Sequence, residues 1–290
     1  MDIKTYFLST IVHQWLGMRA NHLRKTSGLA LFAPTALDFV NGVRAWRLWS
    51  KFAWHDLLAR YRRSWVGPLW LGLTALIFMT TLTLVYGTLF NNPVRDYLPL
   101  VAVGVTCWSF ISAITSEAVG TFVEAENYLR QVRVNPFIFV FRVLWRNVLV
   151  FLHQFAVALL VIALAGRLSI VLLPVAAIGL ILMFAQGLWI IPLLGLLGTR
   201  FRDLQPMISN LMQILFFITP IIWPPSALGS RRWIADINPL ASLMALIRDP
   251  LLGTVPAAGN YLFVLVVTIG GVGFATMVYA RFHKRIVYWL

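Results

Sequence analysis

VLWRNVLVFLHQFAVALLVIALA, residues Val143 to Ala165, decides the fold class of this chain. A bilayer core is about 30 Å thick and takes about 20 mainly apolar helical residues to cross. The run meets that length, and past Arg146 its one titratable side chain is His153. The next stretch, Ile170 to Leu197, is longer and holds no charged residue. Working outward, comparable runs cover about Trp65 to Phe90, Tyr97 to Ser116, Met207 to Trp223 and Tyr261 to Tyr279. The reading is an all-α integral membrane protein with six transmembrane helices.

Composition agrees. The chain is 60% hydrophobic and 12% charged, against about 45–50% apolar and about 25% charged in soluble domains. That apolar excess must face lipid. Twelve Trp and 20 Phe point the same way, because amphipathic rings collect at membrane interfaces. The net charge of +14 sits in the gaps between apolar runs, where it reads as topology signal and headgroup contact rather than as a nucleic-acid surface. Cys107 is the single cysteine, so neither an internal disulfide nor a Cys-based metal site can form.

Lys and Arg placement gives an orientation. Nineteen of 24 fall in four regions: the segment up to Ser64, the second gap with Arg130, Arg133, Arg142 and Arg146, the fourth gap with Arg200 and Arg202, and the tail. Arg95, Arg167, Arg231, Arg232 and Arg248 are left for the other side. With an even number of spans, both termini are expected to be cytoplasmic. The expected organisation is a cytoplasmic extension over 1–43, an amphipathic interface helix over 44–64, a six-span domain over 65–282 and a cytoplasmic tail over 283–290. The apolar stretches of the extension are too short for a signal peptide, so the first span is expected to act as the uncleaved signal.

Two further elements are expected. From Arg44 to Arg63 a helical period places Arg44, Arg47, Lys51, His55 and Arg62 on one face and Trp46, Trp49, Ala53 and Leu57 opposite. That describes a basic helix lying in the interface with its tryptophans in the headgroup boundary; the alternative is a packed helix with a solvated face. In the outer loop Pro224 to Asn260, Asn238-Pro239 is a helix start. Leu240, Leu243, Met244, Ile247 and Leu251 follow at helical spacing, and Pro250 limits the helix. This helix is expected to be re-entrant, tucked into the protein between spans five and six.

The spans carry little chemistry. Ten acidic residues exist and none lies mid-span, which argues against ion-coupled transport. The five His, at 13, 22, 55, 153 and 283, lack metal-ligand spacing, and His153 reads as an interhelical hydrogen bond. Catalysis is not expected. No G-x-x-x-x-G-K-[ST] occurs, so any nucleotide engine must be a separate chain.

Four motifs carry a family resemblance: Asp56 to Trp70 ahead of the first span, Phe201-Arg202-Asp203-Leu204, Thr219-Pro220-Ile221-Ile222-Trp223-Pro224, and Asn238-Pro239 followed by Arg248-Asp249-Pro250-Leu251-Leu252-Gly253. Together, across about residues 45–290, they resemble ABC-2 type permeases of the polysaccharide-export group that serves O-antigen, capsule and teichoic acid. The resemblance implies a permease of the bacterial inner membrane that translocates a lipid-linked polysaccharide. Two copies would form the channel, and two copies of an ABC ATPase subunit would dock below and supply ATP and Mg²⁺ chemistry; this chain itself would hold no cofactor. Capsule, teichoic acid or another cargo, and a polytopic enzyme acting on lipid-linked sugars, are the alternatives.

The resemblance also implies a coupling helix within Glu124 to Pro136, with Glu124, Glu126, Tyr128, Arg130 and Arg133 as its contacts; a solvated charged turn is the alternative. Sugar faces stack on aromatic rings, which nominates Tyr86, Phe90, Trp108, Phe216, Phe217 and Trp223 for a glycan path, although span aromatics also face lipid. Arg60, Arg62 and Arg63 are placed to meet a diphosphate or to serve as a plain positive anchor.

Overall fold

In hydrocarbon the backbone has no water to bond, so long runs of Leu, Ile, Val and Phe close their hydrogen bonds internally as helices. The computed structural model describes residues 33–62, 67, 69–132 and 134–290, and no strand occurs among them. In chain order the helices are α1 (Ala33–Arg44), α2 (Trp46–Tyr61), α3 (Leu69–Leu89), α4 (Val94–Gly120), α5 (Glu126–Gln131), α6 (Phe137–Leu164), α7 (Leu173–Arg200), α8 (Leu204–Ile218), α9 (Trp233–Asp236), α10 (Pro239–Leu251), α11 (Ala258–Phe282) and α12 (Ile286–Trp289). Five of them, α3, α4, α6, α7 and α11, are long and apolar enough to cross a membrane. The chain is a multi-pass membrane protein.

Five of the six expected spans correspond to these five helices, with shifted ends, and the other, Met207 to Trp223, falls on the shorter α8. The expected start at Trp65 lies outside the described residues, as do residues 1–32 of the expected extension. α4 continues through Glu117 to Gly120, and α6 begins at Phe137. Arg142 and Arg146 therefore sit inside a helix rather than at its threshold. α8 has 15 residues, about 22 Å at 1.5 Å per residue, and gives way at Thr219–Pro220 to a bent, non-helical segment.

α4 is the central helix, packed by α3, α6, α7 and α8. Phe110 on it meets Phe151 of α6 at 5.6 Å and Phe184 of α7 at 5.2 Å between ring centroids. Small residues let the backbones close in: a Cβ on Gly198 of α7 would run into the Val119 carbonyl of α4. α8 lies antiparallel along α4. At one end Gln205 Nε2 donates to the Ser116 carbonyl at 3.0 Å, and beyond the other end the Tyr97 hydroxyl donates to the Ile222 carbonyl.

One end of the bundle gathers α1, α2, α5, α12 and the C-terminal end of α7. α1 falls within the expected extension except for Arg44 and is held by Phe39, whose ring lies 5.6 Å from both Phe137 and Phe141. In α12 Ile286 is buried, Arg200 covers the Trp289 ring at 5.3 Å, and Arg202 Nη2 donates to the Leu290 carbonyl at 3.2 Å. The opposite end carries the Arg167–Asp96 ion pair and the Ser169 amide bonded to the Leu251 carbonyl.

Candidate functional site

Arg142 and Arg146 are four residues apart, so they project from the same face of α6. α2 lies against that face. The Asp56 carboxylate of α2 takes Arg142 Nε at 2.6 Å and Nη2 at 2.7 Å, a bidentate pair, and also Arg146 Nη1 at 3.1 Å. Arg146 Nη2 reaches on to Glu117 of α4 at 2.8 Å, where Asn147 Nδ2 joins at 2.7 Å. Arg60 of α2 approaches the other Glu117 oxygen at 3.5 Å. The junction thus ties three helices through three guanidinium groups and two carboxylates, a surplus of one positive charge. The Arg146 side chain is 10% exposed, and its Nε is buried without a hydrogen-bond partner. Buried charge persists only when paired, so this joint holds or yields as a unit.

The turn expected to couple follows directly from α4. Thr121 to Ala125 curl into α5, where Leu129 is buried. Glu126 and Arg130 pair with each other at 3.0 Å, Glu124 is exposed, and Arg133 lies outside the described residues. Tyr128 has its ring 6.0 Å from Phe52 of α2 and 5.9 Å from Phe139 of α6. Arg142 in turn lies 5.9 Å from the Phe52 ring. The turn and the ionic junction are therefore one packed assembly.

At the same end, Arg60 is engaged with Glu117, Arg62 is exposed at the end of α2, and Arg63 lies outside the described residues. The apolar side of α2 is used against protein: Ala53 and Leu57 are buried, and Trp49 packs on Phe141 and Trp145 and donates to the Gly42 carbonyl at 3.2 Å. Trp46, Trp54 and Leu58 remain exposed, as do Leu37, Val40 and Val43 of α1. Burial also pushes the Asp38 carboxyl of α1 above its ordinary range, with His283 pulling the other way.

The six nominated aromatics fall into two groups, one at the end of α3 and one along α4, α8 and the turn that follows it. Trp108 meets Phe216 at 5.7 Å, Phe216 meets Phe217 at 5.4 Å, and Trp223 Nε1 donates to the Phe217 carbonyl at 3.2 Å. Tyr86 stacks on Phe90 at 6.2 Å, and Phe90 lies 6.3 Å from Tyr97. Trp108 is buried, whereas Phe217 is 65% exposed. Tyr97, absent from the sequence-based set, joins the two halves through its bond to Ile222. Its signal was its position, eleven residues or close to three turns before Trp108 on the same helix face.

The segment between α8 and α11 is clamped by residues from its own motifs. Asn238 Oδ1 caps α10 by accepting from the Leu240 and Ala241 amides, and its Nδ2 donates to Thr219 at 3.1 Å. Arg248, buried, donates to the Pro220 carbonyl at 2.9 Å and lies 3.5 Å from Asp249. A Cβ on Gly104 would sit 2.6 Å from the Ile221 carbonyl, so α4 has given up a side chain to let this segment pass. α10 itself is buried along most of its length. One end bonds Ser169, and the other stands over Gln186, halfway along α7.

Residues 48–252 match the model of a family described as ABC-2 type transporter. The O-antigen export system permease protein RfbA of Myxococcus xanthus is 27% identical to this chain over 195 residues, covering 65% of this chain and 74% of that protein. A permease of the same name from Klebsiella pneumoniae is 25% identical over 235 residues, covering 79% and 88% respectively.

Proposed function

The chain belongs to the ABC-2 type transporter family, and from that premise we propose that it is the permease subunit of an ATP-driven exporter of a lipid-linked polysaccharide of the O-antigen type. The observation that carries the reading is the family match from within α2 to the end of α10, joined to relatives named for O-antigen export. The chain is a transport component rather than an enzyme, and the partner ATPase would hold ATP and Mg²⁺.

In this reading α8 and the non-helical Thr219–Pro224 make the sixth crossing, supported by their path from Ser116 to Tyr97 along α4. α10 is re-entrant from the outer side. Both termini are cytoplasmic, by the excess of Lys and Arg at their end, and the membrane is the bacterial inner membrane. The exposed apolar residues of α1 and α2 then rest on the headgroup region beside Arg44, Arg47 and Lys51. Two copies meet across α8, whose outward side is apolar, and the aromatic groups of each copy border the shared path. Sugar rings slide past these faces without being held at one place.

Motion would enter at α5. A push there reaches α2 through Tyr128 and Phe52, and it loads the Asp56–Arg146–Glu117 joint, so α2 shifts relative to α4 and opens the cytoplasmic mouth. Arg62, exposed beside that mouth, is free to meet a diphosphate headgroup. The test is to purify the chain with the ATPase encoded beside it and measure ATP turnover with and without lipid-linked glycan from the same cells. Stable co-purification with glycan-sensitive turnover, lost when residues 124–131 are scrambled, is the expected result. A chain that binds no ATPase and acts on lipid-linked sugars alone would overturn the proposal.

A further inference from the structure

A cavity of about 140 Å³ lies between α4, α7, α10 and α11. Its depth is set by Gln186, the fourteenth of the 28 residues of α7, so it sits at mid-bilayer under the tip of α10. Phe110, Ile114, Met183 and Leu243 form a buried floor. Half-buried Leu240 and Val267 form the rim, which continues into the exposed apolar surface of α11 at Leu262, Val266 and Ile269.

Polar chemistry has been removed from this space. Gln186, its single side-chain amide, donates Nε2 to Thr268 at 2.6 Å and to the Leu182 carbonyl at 3.0 Å, and accepts from Trp189 Nε1 at 2.9 Å. Thr268 donates to the Val264 carbonyl at 2.7 Å. Trp189 is held by Gly271, where a Cβ would lie 2.6 Å from the indole ring. With those groups satisfied within the protein, neither water nor a sugar finds a partner here, since either needs several polar contacts to leave water. At this depth the medium outside the rim is hydrocarbon, and an apolar space left empty forfeits the dispersion contacts of its whole lining.

We propose that the cavity is a binding site for one acyl chain of a bilayer phospholipid, inserted from the α11 side beneath the tip of α10. The inference rests on the membrane fold and is independent of the cargo. A seated chain would brace the inner end of α10 against α4 and α7 and so support the outer segment that Asn238 and Arg248 clamp.

The test uses the full-length chain in vesicles containing a phosphatidylethanolamine with a diazirine midway along one acyl chain, with cross-links mapped to single residues. Leu240 and Val267 are expected to be labelled severalfold more than Ile77, an exposed residue of α3 that meets bulk lipid. Val267→Trp, which fills the mouth, is expected to abolish labelling at Leu240 and leave Ile77 unchanged; Val267→Phe serves if the larger residue prevents folding. Labelling at the rim no greater than at Ile77 would overturn the site. An intermolecular disulfide through Leu240→Cys in place of lipid labelling would assign the space to a second copy. Labelling by a diazirine polyprenyl phosphate but not by the phospholipid would make the carrier lipid the occupant and overturn the acyl-chain assignment.

Discussion

Arg146 serves two carboxylates from two different helices, which makes the charge balance around it the most sensitive feature at the residue scale. Glu117→Gln would leave Arg146 and Arg60 without their shared anion, and breaking a buried pair on one side costs about 3 kcal/mol. A clear fall in the unfolding midpoint of the detergent-solubilised protein is expected. Glu126→Gln removes only the exposed Glu126–Arg130 pair, an interaction of about 0.3–0.5 kcal/mol, and should leave the midpoint unchanged. Asp38 adds a pH dependence. Burial raises its folded value above 3.8, so the folded state binds more protons than the unfolded chain, and stability falls as pH rises through the raised value. Comparing wild type with Asp38→Asn from about pH 4 to about pH 7, the variant should lose that decline and match or exceed wild type at the upper end.

At the scale of elements, close helix contacts are set by glycines with backbone at the position of a missing Cβ. Gly104 faces the Ile221 carbonyl and Gly179 of α7 faces the Leu246 carbonyl of α10 at 2.5 Å. Alanine at either forces rigid backbone apart, and overpacking of this kind costs about 1–3 kcal/mol. Gly270 and Gly273 of α11 meet nothing within 4 Å. Alanine there gains helix propensity, up to about 1 kcal/mol. The four unfolding midpoints should therefore split into two lowered and two unchanged or raised. The two tryptophans that the sequence places in the headgroup boundary part company in α2: Trp46 is exposed, whereas Trp49 packs on Phe141 and Trp145 of α6, a competing apolar surface that local periodicity does not reveal.

For the whole molecule, the outward side of α8 is the surface that the proposed second copy would cover. Ile214 and Phe217 are exposed on it, while the native Cys107 is fully buried. Cys107 should therefore give no background in a cross-linking experiment. Ile214→Cys or Phe217→Cys in membranes is expected to yield a disulfide-linked pair of chains on mild oxidation. Ile269→Cys on the lipid-facing side of α11 is not. Cross-linking only through α11 would place the second copy on the other side and remove the aromatic groups from the shared path.

The apolar runs determined by themselves that this is a helical membrane protein, because length and hydropathy alone decide what can lie in hydrocarbon. They also determined the capped start of α10, where Asn238 and Pro239 act on their immediate neighbours. Span ends were less legible: Arg142 and Arg146 resemble a membrane boundary in sequence, yet partners 86 and 90 residues earlier in the chain allow them inside α6. The six aromatics are legible only by residue type; the contact of Trp108 with Phe216 arises from α4 and α8 running antiparallel, and Tyr97 links that group to Tyr86 and Phe90. α1 carried no sequence signal that set it apart from the expected extension. The ionic junction, the clamp of Tyr97 and Arg248 on the segment after α8, and the apolar cavity were decided by tertiary structure alone. Each depends on which helix faces meet, and pairing between distant faces is a property of packing that local periodicity does not encode.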